Sequence, residues 1–144
     1  MKKTYKIVFT GGGTGGHLFP IIAIARELKK EWERKKISDE SELELYFIGP
    51  KDKFSQMILE PEGFKIYTIF SGKIRRYINI SSLFQNLRDL LFSIPLGIFQ
   101  SFFYLFFLAP DLIFSKGGYG SIPVVFNGWL LRIPILSLYF LLIL

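Results

Sequence analysis

The chain has 144 residues, a formal net charge of +6, 50% hydrophobic residues and 17% aromatic ones. That length suits one domain with a sizeable core, and the apolar content exceeds what a small soluble domain usually needs. With no cysteine and one histidine, disulfides, thiolate metal sites and histidine clusters are excluded.

Apolar and polar residues divide the chain into alternating strand and helix patterns. Tyr5–Thr10 reads as a buried strand and leads into Gly11-Gly12-Gly13-Thr14-Gly15-Gly16-His17. His17–Lys36 reads as a helix, with Ile21, Ala25, Leu28 and Trp32 on one face. Pro20 is expected in its first turn, where a missing N–H does no harm. After a polar connector, Leu43–Ile48 forms a second strand closed by Gly49-Pro50. Phe54–Leu59 is a short helix ended by Pro61 and Gly63, and Phe64–Phe70 a third strand. Ser71–Arg76 is a basic loop. Ser81–Leu108 is a long apolar helix, expected to be interrupted by Pro95 and Gly97. Leu112–Ser115 is a short strand followed by Lys116-Gly117-Gly118-Tyr119-Gly120. Pro123–Leu131 is another helix, and Ile135–Leu138 begins a last strand. The alternation predicts an α/β fold, a doubly wound parallel sheet with right-handed crossovers. Both glycine clusters then fall at the carboxyl edge, where such sheets bind ligands.

The first glycine cluster joins a strand to a helix. Glycines let the backbone approach a ligand closely. Free N–H groups and the helix dipole favour an anion there, most often phosphate or diphosphate. Gly11-x-Gly13-x-x-Gly16 matches the dinucleotide fingerprint, but the second strand ends Ile48-Gly49-Pro50 without the acid that would hold a ribose. A Walker loop needs Gly-Lys-Ser/Thr, and this loop gives Gly16-His17-Leu18. A bare turn needs only one or two glycines, so a ligand loop is the better reading. His17 is placed to donate to a diphosphate or to act as a base near neutral pH; capping or packing is its plainer role. The second cluster, Gly117-Gly118-Tyr119-Gly120-Ser121, is either only a loop or, from its place after a strand, a binding wall.

Residues 90–110 carry no charge and are long enough to cross a membrane. Pro95, Gly97 and Gln100 interrupt the run, and the strands on either side must share one sheet. With Arg75, Arg76 and Arg88 upstream, the segment is expected to lie on an anionic membrane surface; a buried core helix is second and a true span third. No RNA-binding signature accompanies the basic charge, so no nucleic-acid partner is expected. The apolar stretch after Met1-Lys2-Lys3 is too short for a signal peptide, which points to a start in the cytoplasm.

Taken together, these residues resemble the MurG family of glycosyltransferases, in their amino-terminal half. Gly11–His17 with Phe19-Pro20 is similar to the family's first glycine loop. Ser71-Gly72 with Lys73, Arg75 and Arg76 is similar to its basic loop. Pro110-Asp111 and Lys116-Gly117-Gly118-Tyr119 with Ser121 and Pro123 resemble its second glycine loop, and Arg132-Ile133-Pro134 the approach to the next strand. The resemblance implies a GT-B glycosyltransferase of two Rossmann-like domains. It implies inverting transfer of GlcNAc from UDP-GlcNAc to undecaprenyl-diphosphate-linked MurNAc-pentapeptide at the cytoplasmic face of the cell membrane, a peripheral location. Gly13, Thr14, Gly15, Gly16, Gly117, Gly118 and Tyr119 would line the substrate cleft, with His17 as the candidate catalytic base. Lys73, Arg75, Arg76, Phe99 and Phe103 would meet acceptor and membrane. No cofactor or metal is implied.

Two departures stand out. The family carries a His-Glu-Gln-Asn segment where this chain has Leu138-Tyr139-Phe140-Leu141, and usually has Glu where this chain has Ser55. Residues 1–144 are therefore expected to be an amino-terminal domain truncated near its last strands, lacking the donor domain and inactive alone. A second reading is a membrane-anchoring subunit that docks to a separate donor-binding chain; a third, disfavoured by the loop chemistry, is a nucleotide-binding protein without transfer activity.

Overall fold

Side-chain alternation along the first two strands sends Ile7, Phe9, Leu45 and Phe47 to one face of the sheet and Val8, Tyr46 and Ile48 to the other. A strand buried on both faces needs a helical layer on each side, and the chain supplies both. A computed structural model describes residues 2–12, 15–35, 41–71 and 79–138, the side chains of Asp89 and Leu90 excepted. Its strands are β1 (Thr4–Thr10), β2 (Glu42–Pro50), β3 (Lys65–Ile69), β4 (Leu112–Ser115) and β5 (Ile135–Ser137). They form one sheet in the order β3-β2-β1-β4-β5, and every pairing is parallel.

The first face carries α1 (Gly15–Lys35) and α2 (Lys53–Leu59). Leu18, Ile21, Ile22 and Ala25 of α1, with Leu59 and Phe64, close over Phe9, Phe47 and Phe114. Asp52 caps α2, its carboxylate accepting from the Phe54 and Ser55 amides (3.3 and 3.0 Å) and from the Ser55 hydroxyl (2.7 Å). Burial pushes this carboxyl up, but those hydrogen bonds outweigh it and leave the group below its ordinary value. Ser55 is thus a buried partner of the cap.

The second face carries α4 (Ile94–Leu108) and α5 (Ile122–Leu130), with α3 (Ile80–Arg88) leading into α4. Gly97, Ser101 and Leu105 form the buried side of α4. Asn127 of α5 donates through Nδ2 to the Ile98 carbonyl and to Ser101 Oγ, both at 2.6 Å, and Ser101 Oγ donates to the Pro123 carbonyl at 3.0 Å. These buried polar groups satisfy one another and lock α4 to α5.

Two expectations are corrected. Helix α1 starts at Gly15, so Pro20 lies inside it rather than in its first turn, where the Gly16 carbonyl loses its helical donor. Nor do Pro95 and Gly97 interrupt the long helix. Residues 80–108 run as 29 residues of continuous helix, with a π-helical turn at Asp89–Ser93 just before Pro95. Gly97 is a packing contact: a Cβ there would lie 1.8 Å from the Phe70 carbonyl oxygen. Gln100, one turn on, accepts from the Phe70 amide at 2.8 Å. The helix is long enough to cross a bilayer, yet β3 before it and β4 after it share one sheet, so both ends return to the same side.

Candidate active site at the switch point of the sheet

Strand order reverses between β1 and β4, the place where open α/β sheets bind ligands. Both glycine loops leave the sheet here. Thr10 pairs with Ser115. Just beyond, the Lys116 amide donates to the Thr10 carbonyl (3.0 Å), and the Gly12 amide donates to the Gly117 carbonyl (3.2 Å). The two loops therefore continue the β1–β4 ladder for one more step and form a single surface.

His17 stands in the first turn of α1 against both loops. A Cβ on Gly12 would lie 3.3 Å from His17 Cδ2, and one on Gly118 would lie 3.2 Å from His17 Cε1. The imidazole occupies a slot that these two glycines leave open. Gly118 has φ 90° and ψ 169°, a backbone region that side-chain-bearing residues scarcely enter. Among the described residues, buried His17 Nδ1 has no hydrogen-bond partner. Desolvation and then the Lys116 ammonium push the His17 pKa down from its ordinary value, which favours the neutral ring.

Gly118 also lines a cavity of about 590 Å³, together with Ser115, Ser121, Phe126, Ile135 and Ser137 among others. That is within the size range of ligand sites. Ser121 Oγ donates to the Gly118 carbonyl (2.8 Å), and Ser115 Oγ accepts from the Gly117 amide (3.2 Å). These hydroxyls shape the loop at the mouth of the cavity. Tyr119 opens a 3-10 turn that leads into α5.

The other predicted site residues divide. Gly15 and Gly16 begin α1 beside His17. Gly13, Thr14, Lys73, Arg75 and Arg76 lie outside the described residues. Phe99 and Phe103 are on the outer side of α4, 63% and 42% exposed and in contact, ring centroids 4.8 Å apart. Their helix packs on the sheet face opposite the one that α1, which carries His17, covers. Sequence reasoning missed Lys116 as the neighbouring charge on His17, Asp52 as the α2 cap and Gln100 as the residue that seats the end of β3. Each depends on a partner distant in sequence or on cap geometry. Asp52-x-x-Ser55 before an apolar run was the available signal for the cap.

Comparison with known proteins agrees with this architecture. Residues 7–137 match the glycosyltransferase family 28 N-terminal domain. Over 132 residues, 91% of this chain, it is 40% identical to "UDP-N-acetylglucosamine--N-acetylmuramyl-(pentapeptide) pyrophosphoryl-undecaprenol N-acetylglucosamine transferase 2" of Bacillus cereus (strain ATCC 10987 / NRS 248), covering 33% of that protein. It is 39% identical over the same share to "UDP-N-acetylglucosamine--N-acetylmuramyl-(pentapeptide) pyrophosphoryl-undecaprenol N-acetylglucosamine transferase" of Legionella pneumophila (strain Corby), covering 32% of it. The crystal structure of Acinetobacter baumannii MurG superposes with a TM-score of 0.65 at 23% identity, over 92% of this chain and 33% of that one. The chain thus spans about a third of the length of these relatives.

Proposed function

Because this chain belongs to the glycosyltransferase family 28 N-terminal domains, we propose that it is the acceptor- and membrane-facing part of a GlcNAc transferase of peptidoglycan synthesis. The donor would be UDP-GlcNAc, the acceptor an undecaprenyl-diphosphate-linked MurNAc-pentapeptide. The observation that carries this reading is the His17 imidazole seated between two glycine loops at the switch point.

In this reading the amides around Gly11–Gly16 and the positive end of α1 receive diphosphate. His17 takes the proton from the attacking sugar hydroxyl. That oxygen bonds to the anomeric carbon of GlcNAc from the face opposite UDP, the bond to UDP breaks, and the configuration inverts. Gly117, Gly118 and Tyr119 form the opposing wall. The nucleotide is held by a donor-binding domain or chain, in the two-thirds of the relatives that this chain does not span. Lys73, Arg75 and Arg76 with Phe99 and Phe103 would hold the protein on the cytoplasmic face of an anionic membrane, supported by the exposed phenylalanines of α4.

The test joins this chain to the donor domain of a relative and measures transfer of labelled GlcNAc to the lipid-linked acceptor. Transfer is expected, and His17→Ala should lower turnover by about 10²–10⁴-fold, the usual worth of a positioned general base. Unchanged turnover in that variant would remove His17 from the chemistry.

A further inference from the structure

The exposed apolar side chains of residues 80–108 sit on two helices, α3 and α4, separated by the π turn at Asp89–Ser93. Ile80, Phe84 and Leu87 are exposed on α3, and Phe99, Phe103 and Phe106 on α4. The buried positions are Ser82 in α3 and Gly97, Ser101 and Leu105 in α4. On one regular α-helix at about 100° per residue, Ile80 and Phe99 would point about 100° apart, and Leu87 and Phe103 about 160° apart. Ser82 and Ser101 would also be about 100° apart. The exposed face of one half would then run toward the buried face of the other.

A π turn takes up one extra residue, which turns everything beyond it back by about 100°. With that correction Ile80 lines up with Phe99, Ser82 lines up with Ser101, and Leu87 comes to about 60° from Phe103. The cause of the turn is local. Pro95 has no N–H to give the Leu91 carbonyl, and in a regular helix its ring would collide with that oxygen. Widening the preceding turn relieves the collision and realigns the two faces together.

We infer that the π turn at Asp89–Ser93 is a register device that joins α3 and α4 into one continuous lipid-facing stripe, by which the protein lies along an anionic bilayer surface. The stripe is about 43 Å long at 1.5 Å per residue. An amphipathic helix in the interface plane presents this kind of face, and the net charge of +6 complements anionic lipid. The inference rests on the peripheral-membrane reading above and adds which residues enter the lipid together.

The chain contains no cysteine, so single cysteines carrying an environment-sensitive fluorophore report each position separately. Phe84→Cys, Leu87→Cys, Phe99→Cys and Phe103→Cys would be labelled, with Gln85→Cys as the off-stripe control. Each would be mixed with vesicles of phosphatidylglycerol and phosphatidylcholine containing a lipid-borne quencher. All four stripe positions should shift to the blue and be quenched together, and Gln85 should not. A response confined to α3 or to α4 would overturn the register inference while leaving membrane binding intact. No response at any position would overturn both. A blue shift that grows with protein concentration without vesicles would assign the stripe to a second copy of the chain and overturn it as well. Pro95→Ala restores the missing amide and removes the ring that collides with the Leu91 carbonyl, so the turn can close as regular α-helix with no residue lost and Leu87 swings to about 160° from Phe103. The Leu87 label should then lose its quenching several-fold while the Phe103 label keeps it, and an undiminished Leu87 signal would contradict the role given to the π turn.

Discussion

The two helical layers bury similar material and show opposite exteriors. Helix α1 turns Leu18, Ile21 and Ala25 inward and covers its outside with charge. Arg26 pairs with Glu62 and Arg34 with Glu31, and Lys30 lies 3.8 Å from Glu27. Helix α4 turns Gly97, Ser101 and Leu105 inward and covers its outside with phenylalanine, Phe107 being 77% exposed. The fold asks only for the inner surfaces. Exposed ion pairs contribute little to stability, and an exposed apolar face contributes less while inviting association. The exteriors therefore differ in kind: α1 carries ion pairs, and the α3–α4 side leaves large apolar side chains exposed.

The sharpest way to break this comparison is to strike both inner surfaces alike. Ile21→Ala in α1 and Leu105→Ala in α4, each at a buried site, should both cost about 2–5 kcal/mol in urea unfolding, as large-to-small core changes do. A much smaller loss at Leu105 would mean that α4 is not a true core layer. Next in size is the seam between the layers. Gly118→Ala imposes a side chain on a left-handed backbone and points it at His17, and should cost about 1–3 kcal/mol. Chemical-shift changes at the single imidazole would follow its displacement. Smaller still are the exteriors: Phe99→Ser and Lys30→Ser should each change stability by no more than about 0.5 kcal/mol. Only the phenylalanine change should reduce flotation with anionic vesicles, and equal flotation would erase the distinction between the layers.

The smallest effect is a titration. His17 is the only histidine, so its NMR signals are unambiguous. Its midpoint should lie below 6.5, and Lys116→Met should raise it, since that removes one of the two causes of the shift. Because the folded chain binds this proton more weakly than the unfolded chain, His17 makes stability fall as pH drops below about 6.5. A midpoint above 6.5 would contradict the desolvated slot.

Much of this was legible in the sequence. The continuous apolar runs Ile7-Val8-Phe9 and Leu45–Ile48 located the central strands, and the glycine clusters after β1 and β4 located the edge where they meet. What escaped depends on distance or on small departures from ideal geometry. Nothing local to His17 shows that Gly118 borders its ring, because that contact exists only once β4 pairs with β1. Gly97 looked like a break because an isolated glycine weakens a helix. Only the neighbouring Phe70 carbonyl reveals that the glycine admits a close approach. The π turn leaves no compositional mark beyond Pro95, and a single extra residue is invisible to a count of helical periods over so short a span.

Strand β1 lies between β2 and β4, and the consequence is one of timing. As the chain is synthesised, β1, α1, β2, α2 and β3 are complete by residue 69, but the other edge of β1 stays open until residues 112–115 have been made. The Lys6–Asp111 contacts that begin this second pairing span 105 residues. The phenylalanine helix emerges in that interval, before the sheet that will seat it is finished. Non-local pairing is slow, and an unpaired edge beside exposed apolar surface favours aggregation. The exposed phenylalanines of this helix are thus most vulnerable to association while the chain is still on the ribosome, before β4 has closed the sheet.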